Sequence, residues 1–234
     1  MPDPAVENNH YEWSPYTYVY NNPILLIDPF GLDSVYVLDQ ATRPDDNGTA
    51  GTSYTADVYV VQNGELVYIG DNEKSTYPNS ISLTDNSTDH NTVAEGEHSF
   101  DNVYGHSQSQ ERGLNIYDDE STRTVAGTSP DGTSVEGGMT GVNDHEGESN
   151  NGGPRSRGST GCVTTDPAAS DSYYNVFDWS GTITRNGVTH TGTTGNSSGS
   201  YYIYRGTANM PANFRNDHKL PIILLGATVT HPTK

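Results

Sequence analysis

The sequence predicts a mainly β domain with one or two short helices, and three observations carry that expectation. Sixteen Tyr, 25 Gly and 13 Pro among 234 residues, with abundant Thr and Ser, suit short strands joined by turns, while strong helix formers are scarce. The stretch "TADVYVVQNGELVYIG", residues 55 to 70, is two alternating runs joined by Asn63-Gly64, the pair that best tolerates the positive φ angles of a type I′ hairpin turn. Further short β-favouring runs recur between stretches rich in Gly, Asn, Asp and Ser.

In chain order, residues 34–38 form the first predicted strand, and the hairpin supplies the next two. Further strands are expected at 79–84, 113–117, 181–185 paired with 188–191 through Asn186-Gly187, 201–204 and 222–230. Asp166-Pro167 offers an N-cap followed by Pro at the first helical position, so "DPAASDSYYNVFDW" is the helix candidate. Segments 39–53, 126–155 and 191–200 read as long loops.

Charge and cysteine usage narrow the function. Eleven basic against 30 acidic residues give a formal net charge of -19, which repels phosphate backbones and works against nucleic acid as substrate or partner. A single cysteine excludes an intrachain disulfide, and neither a second Cys nor an HExxH spacing is present to build a zinc site, so no metal or cofactor is expected. No apolar run reaches membrane-spanning length, and residues 1 to 20 lack the pattern of a signal peptide, so export would depend on something else.

The chemistry centres on "HEGESNNGGPRSRGSTGCVTT", residues 145 to 165, which holds Cys162. An ordinary thiol has a pKa of about 8.5 and needs a base to act as a nucleophile at neutral pH. His145 is the first candidate base. Gly161 and the short side chains of Ser159 and Thr160 let the backbone approach a substrate, and amide N–H groups of Gly161 and Cys162 can face a developing oxyanion. On this chemistry alone, catalysis and an inert core thiol stay balanced.

Two family resemblances extend the reading. "MPDP" and "YEWSPYTYVYNNPILLIDPFGLD" resemble the terminal segment of the Rhs-repeat core, the shell that carries variable toxin domains. Pro23, Asp28, Pro29, Gly31 and Leu32 match that family's Pro-x4-Asp-Pro-x-Gly-Leu junction, at which such proteins are cleaved after the Leu. The resemblance implies that residues 1–32 end an Rhs shell and that 33–234 are a cargo toxin, secreted and shielded in its producer by a cognate immunity protein. The junction is expected to be intact in this fragment, and the acidic charge would suit a basic immunity protein.

The second resemblance lies in the cargo. His145-Glu146-Gly147 followed by Ser159-Thr160-Gly161-Cys162 resembles the His-x-Gly and Ser-x-Gly-Cys signature of the L,D-transpeptidase family. "QNGELV" resembles the hairpin near the start of that catalytic domain, and "VAEGEHSF" its Thr-Pro-x-Gly-x-aromatic strand. The resemblance implies a β-sandwich with one or two short helices. It also implies acyl transfer on peptidoglycan stem peptides in the periplasm of a target bacterium, with Cys162 as nucleophile, His145 as base and no cofactor. His106, Tyr104, Arg155 and Arg157 are substrate-binding candidates. The chain departs from the family at Thr160 and Thr164, where His and Arg are usual, and at Val93, Ala94 and His98.

Two alternatives remain open. A papain-like peptidoglycan peptidase or amidase would pair Cys162 with a downstream base, His190 or His218. A non-enzymatic, Tyr-rich module would bind glycan and leave the thiol inert. Otherwise His90, His190, His218 and His231 read as structural or solvated.

Overall fold

The computed structural model describes residues 33–39, 54–63, 65–77, 91–106, 111–147, 159 and 161–206. The Rhs-like junction (Asp28, Pro29, Gly31, Leu32), the strands expected at 79–84 and 222–230, and Thr160, Arg155, Arg157, His90, His218 and His231 lie outside them.

The described residues are mainly β with one short helix, as the composition implies. Strands β1 (Asp33–Asp39), β2 (Ala56–Gln62) and β3 (Glu65–Ser75) are followed by the short β4 (Thr92–Val93), then β5 (Gly96–Asp101) and β6 (Gly113–Tyr117). Next come β7 (Thr124–Val125), β8 (Gly127–Thr128), β9 (Met139–Thr140), β10 (Asn143–Glu146) and β11 (Val163–Thr165). Helix α1 (Pro167–Tyr174) precedes β12 (Thr182–Arg185), β13 (Val188–Thr191) and β14 (Ser198–Arg205).

Eight of these strands close into one barrel in the order β1-β14-β5-β6-β10-β11-β3-β2, where two stacked sheets were expected. The ring is closed by two parallel pairings, β1 with the sequence-distant β14 and β10 with the next strand β11, without which these strands would be left as edges. The β2–β3 hairpin turns at Asn63 with φ 51, and register shifts along it bend the pair. The β12–β13 hairpin forms a separate two-stranded sheet, turning through Asn186 and Gly187 at positive φ.

Alternation sets the core. Val35, Val37, Val58, Val60, Phe100, Leu114, Ile116, Val163, Tyr201 and Ile203 face inward and are fully buried. Burying a side chain of this size is worth about 1.5–3 kcal/mol. Outward-facing Leu38 and Tyr59 form a second buried cluster with Tyr36, Leu66, Ile69 and Tyr204.

Two loop readings change. Segment 126–155 contains β8, β9 and β10, and segment 191–200 contains the end of β13 and the start of β14. Strand β10 reads Asn-Asp-His-Glu, with no apolar alternation to reveal it, because its inward residue is a charge rather than a hydrocarbon. The helix stops at Tyr174, short of the expected Trp179. Its start is as anticipated, with the Asp166 side chain accepting from the Ala168 N–H at 2.9 Å and Pro167 at the first turn.

Candidate active site

Strand β10 lies between β6 and β11, and its register defines the site. His145 is opposite Gly113 of antiparallel β6 and Thr164 of parallel β11, and Thr164 is in turn opposite Ser75 of β3. Paired residues share a face and successive residues alternate, so Ser75, Thr164, His145 and Gly113 form one row on the outer face of the barrel. Cys162, two residues before Thr164, belongs to that same face beside Asn143. The parallel pairing therefore brings His145 and Cys162 to one surface, offset by two residues along the strands.

The thiol is held by backbone. Cys162 Sγ accepts the Asn143 N–H at 3.4 Å and lies 3.8 Å from the Gly141 carbonyl, to which its S–H donates. Ser159 Oγ donates to the Cys162 carbonyl at 2.7 Å and accepts the Gly161 N–H at 3.1 Å. The Gly161 amide, expected to face an oxyanion, is thus occupied by Ser159, which clamps the turn instead. Gly161 has φ +156, a conformation that L side chains rarely adopt, so a substitution there is strained, and an added Cβ would displace the Met139 methyl 2.8 Å away. Burial pushes the thiol pKa up, the Asn143 amide opposes that shift, and the Asp144 carboxylate behind it adds to it.

The imidazole is oriented by main chain. His145 Nδ1 lies 2.7 Å from the Glu146 carbonyl, a contact that requires Nδ1–H as donor and leaves Nε2 as the basic nitrogen. Burial lowers its pKa below the ordinary value. A thiol shifted up and an imidazole shifted down are both neutral near pH 7, so the resting pair is not a thiolate–imidazolium ion pair. No hydrogen bond joins them among the described residues. Such contacts commonly tighten only in the Michaelis complex.

His106 stacks on His145 with ring centroids 4.2 Å apart and planes 28° from parallel. Gly113 makes this possible, because a Cβ at that position would lie 3.1 Å from His106 Cβ and 3.0 Å from its backbone nitrogen. Burial and the neighbouring His145 take His106 down to about 4, which keeps it neutral. Its Nδ1 is 3.9 Å from Glu111 Oε2, and Arg185 from β12 donates to the Tyr104 and His106 carbonyls. Tyr104, expected to line the groove, is half exposed with its ring beneath the Arg123 guanidinium, 5.0 Å away. His98 is committed elsewhere, to Asp118 Oδ1 at 2.7 Å and the Ala94 carbonyl at 2.9 Å.

Behind the site, on the inner face of β10, Asp144 accepts from Lys74 Nζ through both oxygens at 2.6 Å. The hydroxyls of Tyr173, Tyr201 and Tyr174 donate to it at 2.7, 2.9 and 3.1 Å, and Thr165 at 3.1 Å. Lys74 also donates to Thr165 Oγ1 at 2.5 Å and lies 3.3 Å from the Tyr173 ring centroid. Burial beside the carboxylate raises all three tyrosines well above their usual range, so they stay protonated and donate. This cluster fixes Asp144, and with it the flanking Asn143 amide and His145 imidazole.

Sequence reasoning missed Asn143, Glu111, Thr164 and the Lys74–Asp144 cluster. The cluster left no signal in the sequence, because Lys74 follows the polar run Asp71-Asn72-Glu73 at the end of β3. Thr164 Oγ1 is a fully buried side-chain atom with no hydrogen-bond partner among the described residues, in the row that also holds His145. No family model, curated protein or solved structure matches this chain.

Proposed function

We propose that this chain is a secreted antibacterial effector that acts on peptidoglycan stem peptides by cysteine acyl transfer, in the manner of an L,D-transpeptidase or L,D-carboxypeptidase. The observation that carries the reading is the parallel pairing of β10 with β11, which gives Cys162 and His145 one face while a main-chain carbonyl fixes the His145 tautomer. In that geometry His145 Nε2 takes the thiol proton as Sγ attacks the carbonyl at the L-centre of diaminopimelate. The C–N bond to D-Ala breaks, His145 returns the proton to the leaving amine, and a thioester remains. Water, a free D-amino acid or the side-chain amine of a second stem then releases it as carboxypeptidase product, exchange product or 3-3 cross-link.

Because the Gly161 N–H is bonded to Ser159, the Cys162 N–H is the oxyanion donor of this turn, and Thr164 Oγ1 supplies a nearby uncommitted hydroxyl. A papain-like assignment would need His190 or His218; His190 lies on the separate β12–β13 sheet rather than on a strand flanking Cys162, and His218 lies outside the described residues. The effector reading adds an Rhs shell upstream and a cognate immunity protein from the residue 1–32 resemblance, and action in the target periplasm from the L,D-transpeptidase resemblance. Among the described residues no helix is long and apolar enough to cross a membrane.

Mass spectrometry of purified muropeptides incubated with the chain, wild type beside Cys162→Ala, with and without a free D-amino acid, tests the proposal. Loss or exchange of D-Ala from tetrapeptides with the wild type alone is expected. Unchanged muropeptides in both would overturn it.

A further inference from the structure

We propose that His106, Glu111 and His145 form a divalent transition-metal site of the zinc type, whose occupancy removes His145 from service as a base. One ligand atom from each of the three lies within 4.8 Å of the others. Two imidazole nitrogens and one carboxylate oxygen make a donor set that favours Zn2+ and its borderline neighbours over Mg2+ or Ca2+. Ligands around a tetrahedral zinc stand about 3.3 Å apart, given Zn–N bonds of about 2.0–2.1 Å. The present spacing is wider than this, and Glu111, with 56% of its side chain exposed, is the ligand with room to move inward.

The supporting shell is already built. The Glu146 carbonyl accepts His145 Nδ1–H at 2.7 Å, which presents Nε2 as the metal-binding nitrogen in the way second-shell carbonyls commonly orient ligating histidines. Gly113 leaves room for the stacked rings, and Arg185 ties down the His106 carbonyl at 3.4 Å. The chain's formal charge of -19 raises the local concentration of cations. Three protein ligands leave a coordination position for water. Cys162 is not among the three, so the ion competes for the base and not for the nucleophile.

Titration calorimetry of the full chain with ZnCl2, with Co2+ absorption spectra as a second readout, decides the site. One ion per chain is expected, stripped by EDTA. Glu111→Gln and His106→Asn should each weaken binding at least about ten-fold, since even second-shell losses cost 10–100-fold. The absence of stoichiometric binding, or equal affinity in wild type and Glu111→Gln, would overturn the site. Glu111 is half exposed, so its variant keeps the fold. The inhibitory consequence rests on the acyl-transfer reading: Zn2+ should slow muropeptide turnover and EDTA restore it, and turnover that rises with Zn2+ would refute that consequence. Muropeptides left unchanged by EDTA-treated wild type would sink the acyl-transfer reading and leave the titration result standing.

Discussion

The two faces of strand β10 make opposite use of polar groups. On the inner face Asp144 is saturated: one ammonium, three tyrosine hydroxyls and a threonine surround a carboxylate with no solvent exposure. On the outer face, one residue either side, Asn143 offers its amide to a thiol, His145 keeps Nε2 as a basic nitrogen, and Thr164 Oγ1 has no partner among the described residues. A saturated buried network locks geometry, whereas incompletely satisfied groups hold free energy that a ligand can recover. The inner face thus acts as the frame that aims the outer one.

Breaking the frame should have the largest effect. Lys74→Met leaves Asp144 as an uncompensated buried charge, and stability should fall by about 3–5 kcal/mol in urea unfolding. A loss below about 1 kcal/mol would mean that the tyrosines alone satisfy the carboxylate. The outer face should respond in activity instead. His145→Gln should lower muropeptide turnover by about 100-fold or more. It should cost no more than about 1.5 kcal/mol of stability, the worth of one hydrogen bond. Equal losses in both quantities would erase the distinction between the faces.

The electrostatics of the outer face give a pH signature. On the acyl-transfer reading His145 must be neutral to act, and burial holds its pKa below the ordinary value of about 6.5, so turnover should stay level down to that pH and fall about ten-fold per unit below the depressed pKa. The raised thiol pKa implies slow alkylation by iodoacetamide at pH 7, with a rate that climbs about ten-fold per pH unit toward the thiol pKa. Rapid alkylation at pH 6 would instead reveal a preformed ion pair. The smallest effect should come from Thr164→Val, which removes an unpaired buried hydroxyl and should stabilise the fold by about 1 kcal/mol. A simultaneous drop in turnover would assign that hydroxyl to the substrate.

Legibility in the sequence followed the chemistry of each strand's inner residue. Strands β1, β2, β6 and β14 point Val, Leu, Ile or Tyr inward, and alternation found them. Asn63-Gly64, Asn186-Gly187 and Asp166-Pro167 specify their turns and cap through local backbone preference, and those signals located both hairpins and the start of α1. Strand β10 escaped because a strand held by an ion pair carries no hydrophobic period. Cys162 and His145 were legible as candidates from their types and order, but Glu111 was not, since a lone glutamate in a polar stretch carries no signal of its own.

What the sequence determined by itself was the β character, the turns, the acidic surface and a single thiol preceded by a histidine. Those are properties of residues and their near neighbours, set by φ preference, side-chain period and charge. The tertiary structure decided that the strands close into a barrel, that β10 and β11 run parallel, and that Lys74 meets Asp144 while His106 meets His145. Each of these joins residues far apart in the chain. Their pairing depends on which strands become neighbours, and that choice is made by the burial of the whole core rather than by any local stretch.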